Sequence, residues 1–127
     1  MRERVTTAYG ALALVWAAAV ILQVFFAGLG IFGASTFKAH TDFGGILHGI
    51  TALLLILAIV GPRTGRDIGM AAGLLVLVTV QIGLVSARDD APGIAALHPV
   101  LALFALGLAV HMGIHVLRGR RAVVAGA

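Results

Sequence analysis

Two of the five histidines in this 127-residue chain stand where they could ligate a metal. His40 lies in Phe37-Lys38-Ala39-His40-Thr41-Asp42-Phe43, where a polar stretch turns into a long apolar run. His98 occupies the matching place, between a polar loop and an apolar run, 58 residues further on. Gln23 and Gln81, both inside apolar runs, are 58 residues apart as well. Two pairs at one offset indicate a duplicated unit of about 58 residues. Histidine is costly in hydrocarbon, so one within or beside a span marks a functional site by default. Two at equal depth on opposed helices suit bis-histidine ligation of a haem iron, with the porphyrin in the bundle core. The plainer alternative seats both rings in the headgroup region, with no ligand.

The elements that must position these residues belong to a membrane. The chain is 61% hydrophobic and 11% charged, with a mean hydropathy of +1.10, whereas soluble domains are about a quarter charged. There is no cysteine, which excludes disulfides, thiolate metal sites, iron–sulfur clusters and thiol catalysis. The net charge of +4 is not clustered for nucleic acid. Arg2, Arg4, Arg63, Arg66, Arg118, Arg120 and Arg121 lie instead at the ends of apolar runs, as the positive-inside rule distributes them. The partner implied is the lipid bilayer. No phosphate-binding glycine loop, nucleophile elbow or carboxylate pair within a span is present.

Four apolar runs, about 8–34, 43–60, 68–87 and 97–117, are each long enough to cross a bilayer. Ala17-Ala18-Ala19 resembles a signal-peptide cleavage site, but the run continues well beyond it, and a retained first helix is expected. Ser35 to Asp42 reads as a polar loop, Gly61 to Asp67 as a break with Gly and Pro, and Arg88 to Gly93 as a third connection. The predicted fold is an all-α integral membrane four-helix bundle, up-down-up-down, made of two tandem hairpins in a single transmembrane domain. Seven of the nine Lys and Arg fall at the termini and middle loop. Both termini are therefore expected in the cytoplasm, as in a multi-pass protein of the cell (plasma) membrane. His40 and His98 then lie at the outer ends of helices two and four, diagonally across the bundle.

One turn from each histidine is a small residue, Gly44 and Ala102, which would leave room for a macrocycle. Gly45 and Gly49 form a small-xxx-small pair. Gln23 and Gln81 read either as pocket hydrogen-bonding groups or as interhelical glue of about 1 kcal/mol. Lys38 and Arg88 are the only cations of the outer side, and suit outward-pointing haem propionates. His48 lies roughly 12 Å deeper than His40, and His111 roughly 20 Å deeper than His98. His48 reads either as a group supporting the haem ligands or as an internal hydrogen-bonding residue, and a second haem shared across a dimer stays open. His111 and His115 read as interfacial residues beside Arg118, because a metal on that pair would need a third ligand. Trp16 is expected to pack inside.

Gln81-Ile-Gly-Leu-Val85 near the end of one helix, followed by Leu97-His98-Pro99 opening the next, resembles one half of heme A synthase. Gln23, His40, Gln81 and His98 fall on that pattern, and most of the chain is covered. The layout is also similar to that of small four-helix membrane proteins of no assigned role. The resemblance implies a four-helix haem-binding unit. Heme A synthases have eight spans, an acidic residue just before the first histidine and, in many members, a loop cysteine pair. This chain has four spans, Thr36 to Ala39 before His40, and no cysteine. The resemblance thus carries haem binding further than porphyrin oxidation.

The expected function is a membrane b-type haem protein, with one haem b per chain on His40 and His98, serving electron transfer or haem handling. Filled axial positions leave no site on the iron for oxygen, so an enzyme is the lesser expectation. The alternatives are a haem-modifying enzyme of the heme A synthase type working as a dimer, and a haem-free structural or assembly subunit. Gly- and Ala-rich helix surfaces leave a homodimer or a larger membrane assembly open.

Overall fold

A bilayer core leaves each backbone N–H and C=O to be satisfied within its own segment, and the apolar runs fold accordingly. The computed structural model describes residues 2–61 and 64–125, with side chains over 4–61 and 64–119. Five helices follow: α1 (Arg2–Ile31), α2 (Lys38–Val60), α3 (Gly65–Leu84), a single turn α4 (Pro92–Ala95) and α5 (Leu97–Ala125). Among the described residues, four segments are long and apolar enough to span a membrane: Arg4–Ile31, Lys38–Val60, Gly65–Ala87 and Pro92–Gly119. The protein is an all-α four-helix membrane bundle. Of the cations used above to read orientation, Arg63 and the side chains of Arg2, Arg120 and Arg121 lie outside the described residues.

The helix ends follow from local chemistry. Beyond α1, Gly33 adopts φ +71°, a left-handed conformation that glycine takes without a Cβ clash, and the amides of Ala34 and Ser35 return to the Leu29 carbonyl. The helix α2 starts at Lys38, earlier than the polar loop 35–42 predicts. Lys38 and Asp42 pair across one turn, and the Thr41 hydroxyl donates to the Phe37 carbonyl at 3.0 Å, so polar side chains support the first turn. Thr64 and Asp67 form a reciprocal capping box at the start of α3. After α3 a 3-10 turn (Val85–Ala87) leads towards α4, whose first turn holds Pro92, where the missing N–H costs nothing.

Each long helix packs on two neighbours, in the cycle α1, α2, α3, α5 and back to α1. Helices α2 and α5 are therefore diagonal, as the two-hairpin reading requires. The duplication is written in the core. In α1 the buried side chains include Tyr9, Ala13, Trp16 and Val20, and 58 residues later α3 buries Asp67, Ala71, Leu74 and Val78. In α2 they are Leu47, Thr51, Leu54 and Ala58, matched in α5 by Ala105, Ala109, Met112 and Val116. The periodicity is one apolar stripe per helix at three- and four-residue steps. Outer faces carry exposed Val15, Ile21, Phe25, Ile56, Val76 and Phe104, which suits lipid contact.

Packing differs between the hairpins. Gly10 and Gly113 bring α1 and α5 close: a Cβ on Gly113 would lie 2.6 Å from the Leu14 side chain and 3.0 Å from the Gly10 carbonyl oxygen. Their positional counterparts are Ile68 and Leu55. Trp16 is buried as expected, and its indole N–H donates to the Leu47 carbonyl at 2.8 Å, pinning α1 to α2. The bundle has a termini end, where α1 and α3 begin and α2 and α5 finish, and a histidine end, where α2 and α5 begin.

Candidate metal centre at the histidine end

Diagonal placement and a common position in the first turn bring His40 and His98 together. The rings are half-buried, with centroids 6.1 Å apart and planes at 68°. Each is held in the same way. His40 Nδ1 lies 3.1 Å from the Gln23 carbonyl oxygen, and His98 Nδ1 lies 2.8 Å from the Gln81 carbonyl oxygen. A carbonyl can only accept, so Nδ1 carries the proton in both rings and Nε2 of the neutral imidazole keeps its lone pair. Neither Nε2 makes a hydrogen bond among the described residues. Anchoring one ring nitrogen on a carbonyl while the other remains a donor atom is how metal-ligating histidines are commonly oriented.

With metal–nitrogen bonds of about 2.0–2.1 Å, two imidazoles on opposite sides of one ion have centroids roughly 6 Å apart. The observed separation has that size. No third group joins them: among the described residues no cluster of three or more His, Cys, Asp or Glu could hold a metal ion. A metal between the rings would have to bring its remaining ligands with it.

The other residues expected at the site are placed as follows. The Gln23 amide donates from Nε2 to the His40 carbonyl oxygen at 2.7 Å, clasping α1 to α2. It does so over Gly44: a Cβ there would meet Gln23 Nε2 at 2.7 Å. The space beside Gly44, expected to admit a macrocycle, thus holds the glutamine amide. Ala102 carries the Cβ that Gly44 lacks, and no bond from the Gln81 amide to the His98 carbonyl occurs among the described residues. Both amide oxygens, Gln23 Oε1 and Gln81 Oε1, are buried without a hydrogen bond, a repeated pair of acceptors without donors. Lys38 pairs with Asp42 and Arg88 with Asp89 at 3.6 Å, all four well exposed, so each expected propionate partner already has a carboxylate neighbour.

One residue that sequence reasoning did not single out is Phe37. Its ring lies on Gly30, where a Cβ would come within 2.9 Å of it, and meets His40 edge-on at 6.4 Å and 85°. The aromatic beside the histidine was a visible signal. Its seat on Gly30 was not.

His48 does not join the pair. Its Nε2 lies 2.9 Å from Thr79 Oγ1, whose own proton goes to the Leu75 carbonyl, so His48 donates and Thr79 accepts. His111 and His115 stack at the opposite end of the bundle, centroids 5.9 Å apart.

A family model described as a family of unknown function, DUF6220, matches residues 23–88, just over half of the chain, and the chain belongs to that family. The matched stretch runs from Gln23 through His40 and Gln81 to Arg88, and stops before His98. No curated protein and no solved structure matches the chain, so the expected likeness to heme A synthase has no counterpart among the matches.

Proposed function

We propose that this DUF6220 protein is a b-type haem protein of the cell membrane, in which His40 and His98 hold one iron from opposite sides. The observation that carries the reading is the repeated geometry: two diagonal imidazoles 6.1 Å apart, each with Nδ1 tied to the carbonyl of a glutamine one helix earlier. The donor set fits the group. A haem iron has four equatorial nitrogens of its own and asks a protein for two axial ligands, and two are what the chain offers. When bound, haem supplies a one-electron couple. His40 and His98 would hold the group, with the Gln23 and Gln81 carbonyls fixing both ring tautomers and the half-buried site keeping it partly out of water. A haem with both axes filled is suited to electron transfer, or to being held and passed on within a membrane assembly. The macrocycle needs the Gln23 amide to swing away from Gly44. The arginines on the termini end orient it to the cytoplasm by the positive-inside rule, so the pair lies towards the outer face.

A second reading has its own observation. The Gln23–His40 double contact, Nε2 to His40 O and His40 Nδ1 to Gln23 O, is already a closed clip between α1 and α2. On that reading the histidines staple the hairpins, and the protein is a haem-free structural subunit.

An absorption spectrum of the full chain, made in haem-replete cells and purified in detergent, separates the two. The haem reading predicts a red preparation with a sharp low-spin Soret band, lost in His40→Ala and in His98→Ala and kept in His115→Ala. A colourless wild-type protein supports the staple instead.

A further inference from the structure

At the termini end lies a second group of polar side chains, and it does not obey the repeat. Arg66 and Asp67 come from α3, and His111, His115 and Arg118 from α5. The positions 58 residues earlier hold Ala8, Tyr9, Leu53, Leu57 and Val60. Beside this group, along α5, runs an open cavity of about 550 Å³. Its walls include Gly107, Val110 and Ile114 towards the middle of the helix, and His111, His115 and Arg118 towards the end. At Gly107 a Cβ would meet nothing within 4 Å, so the floor is open there. The groove is apolar at depth and basic at its mouth.

The contacts at the mouth leave the positive charges available. Arg66 Nη2 lies 3.4 Å from His111 Nε2. A guanidinium only donates, so that nitrogen accepts, and the His111 ring is turned to Arg66. Among the described residues, the carboxylate beside the cluster is Asp67, 4% exposed. Its Oδ2 accepts from the Thr64 amide and hydroxyl at 3.1 and 2.9 Å. Its Oδ1 makes no hydrogen bond and lies 4.0 Å from His115 Nε2. The negative charge is therefore sunk beneath His115, while Arg66 and Arg118 remain exposed above it.

We infer that this groove binds one anionic phospholipid. Its phosphate is held by Arg118 and by Arg66 with the two histidines, and an acyl chain lies along Val110, Ile114 and Gly107. Basic pockets beside transmembrane helices recognise anionic headgroups by this combination of cations at the surface and hydrocarbon below. From Gly107 to Arg118 is roughly 16 Å along a helix, a run that an acyl chain and headgroup can fill. The inference draws nothing from the His40–His98 pair and stands whether or not haem binds.

The test uses the full chain, equilibrated with vesicles of equal parts phosphatidylcholine and phosphatidylglycerol, extracted in mild detergent and weighed with its retained lipid by native mass spectrometry. The expected result is one phosphatidylglycerol per chain, retained in clear preference to phosphatidylcholine. The double substitution Arg66→Gln with Arg118→Gln lowers that retention roughly thirtyfold, at about fivefold for each cation near a membrane surface. Gly107→Leu keeps both arginines, places its Cβ where nothing lies within 4 Å, and also lowers retention by filling the slot. Lys38→Gln with Arg88→Gln, at the opposite end, leaves the preference for phosphatidylglycerol unchanged. Equal retention of the two lipids overturns the inference, as does unchanged retention in the arginine variant. Displacement of the lipid by millimolar inorganic phosphate overturns it too, in favour of a soluble anion.

Discussion

The two ends of this bundle treat the duplication differently. At the histidine end the anchors of the two rings repeat: His40 to the Gln23 carbonyl, His98 to the Gln81 carbonyl. At the termini end the core positions still match, but Arg66, Asp67, His111, His115 and Arg118 of the second hairpin stand where the first has Ala8, Tyr9, Leu53, Leu57 and Val60. A feature that must be contributed equally by both halves stays symmetric; a feature needed once can grow on one half. The proposed pair of ligands for a single central atom would belong to the first kind, and the proposed lipid groove on one helix to the second.

The comparison can be broken most forcefully at the symmetric end. Either His40→Ala or His98→Ala is expected to abolish the low-spin haem spectrum as completely as the double variant does. A large effect from one and none from the other would mean that the halves are not equivalent, and the spectrum of each purified variant decides it.

Next in size is the packing asymmetry. Gly113→Leu is expected to destabilise the bundle by about 1–3 kcal/mol, the range for overpacking a tight contact, because its side chain meets Leu14 and the Gly10 backbone. Gly69→Leu, where a Cβ meets nothing within 4 Å, should stay within about 0.5 kcal/mol. Denaturation of both variants in detergent, followed by helical circular dichroism, measures the difference. Equal effects would show that α1 and α5 are not held closely by glycine.

Trp16→Phe comes third, keeping a buried ring but losing the bond to the Leu47 carbonyl, at a cost of about 1 kcal/mol by the same measurement. The smallest effect sharpens the glutamine comparison. Gly44→Ala should cost about 0.6 kcal/mol, the average for a hydrogen bond between membrane helices, by pushing the Gln23 amide off His40. In a double-mutant cycle with Gln23→Leu the two costs should not add, since both remove one bond. Full additivity would mean that the amide does not depend on the missing Cβ.

Much of this was legible in the sequence, for physical reasons that can be named. Spans show themselves by length and hydropathy, and a common offset of 58 residues places His40 and His98 on equivalent helices before any coordinates exist. Trp16 was readable as a packing residue from its depth. The carbonyl anchors were not readable, because a backbone oxygen has no signature and its use depends on the register between two helices. The glutamines were noticed for their amides, yet in both repeats it is their backbone that holds the ring. Gly44 was visible as a small residue, but what fills the gap beside it is decided by how far Gln23 can reach. The start of α2 was placed late because Lys38 and Asp42 look like a loop in composition and form a helical pair only at their spacing. The tucked position of Asp67 under His115 joins α3 to α5, and no local pattern announces it.

The central claim is that one iron is shared by two equivalent histidines of a single chain. Titration of haem into the purified apoprotein in detergent, followed at the Soret band, tests it most directly. The account predicts a sharp end point at one haem per chain with a low-spin spectrum, and none in the His40→Ala, His98→Ala double variant. Uptake of haem by that double variant with an unchanged spectrum, or no uptake by the wild type, would contradict it.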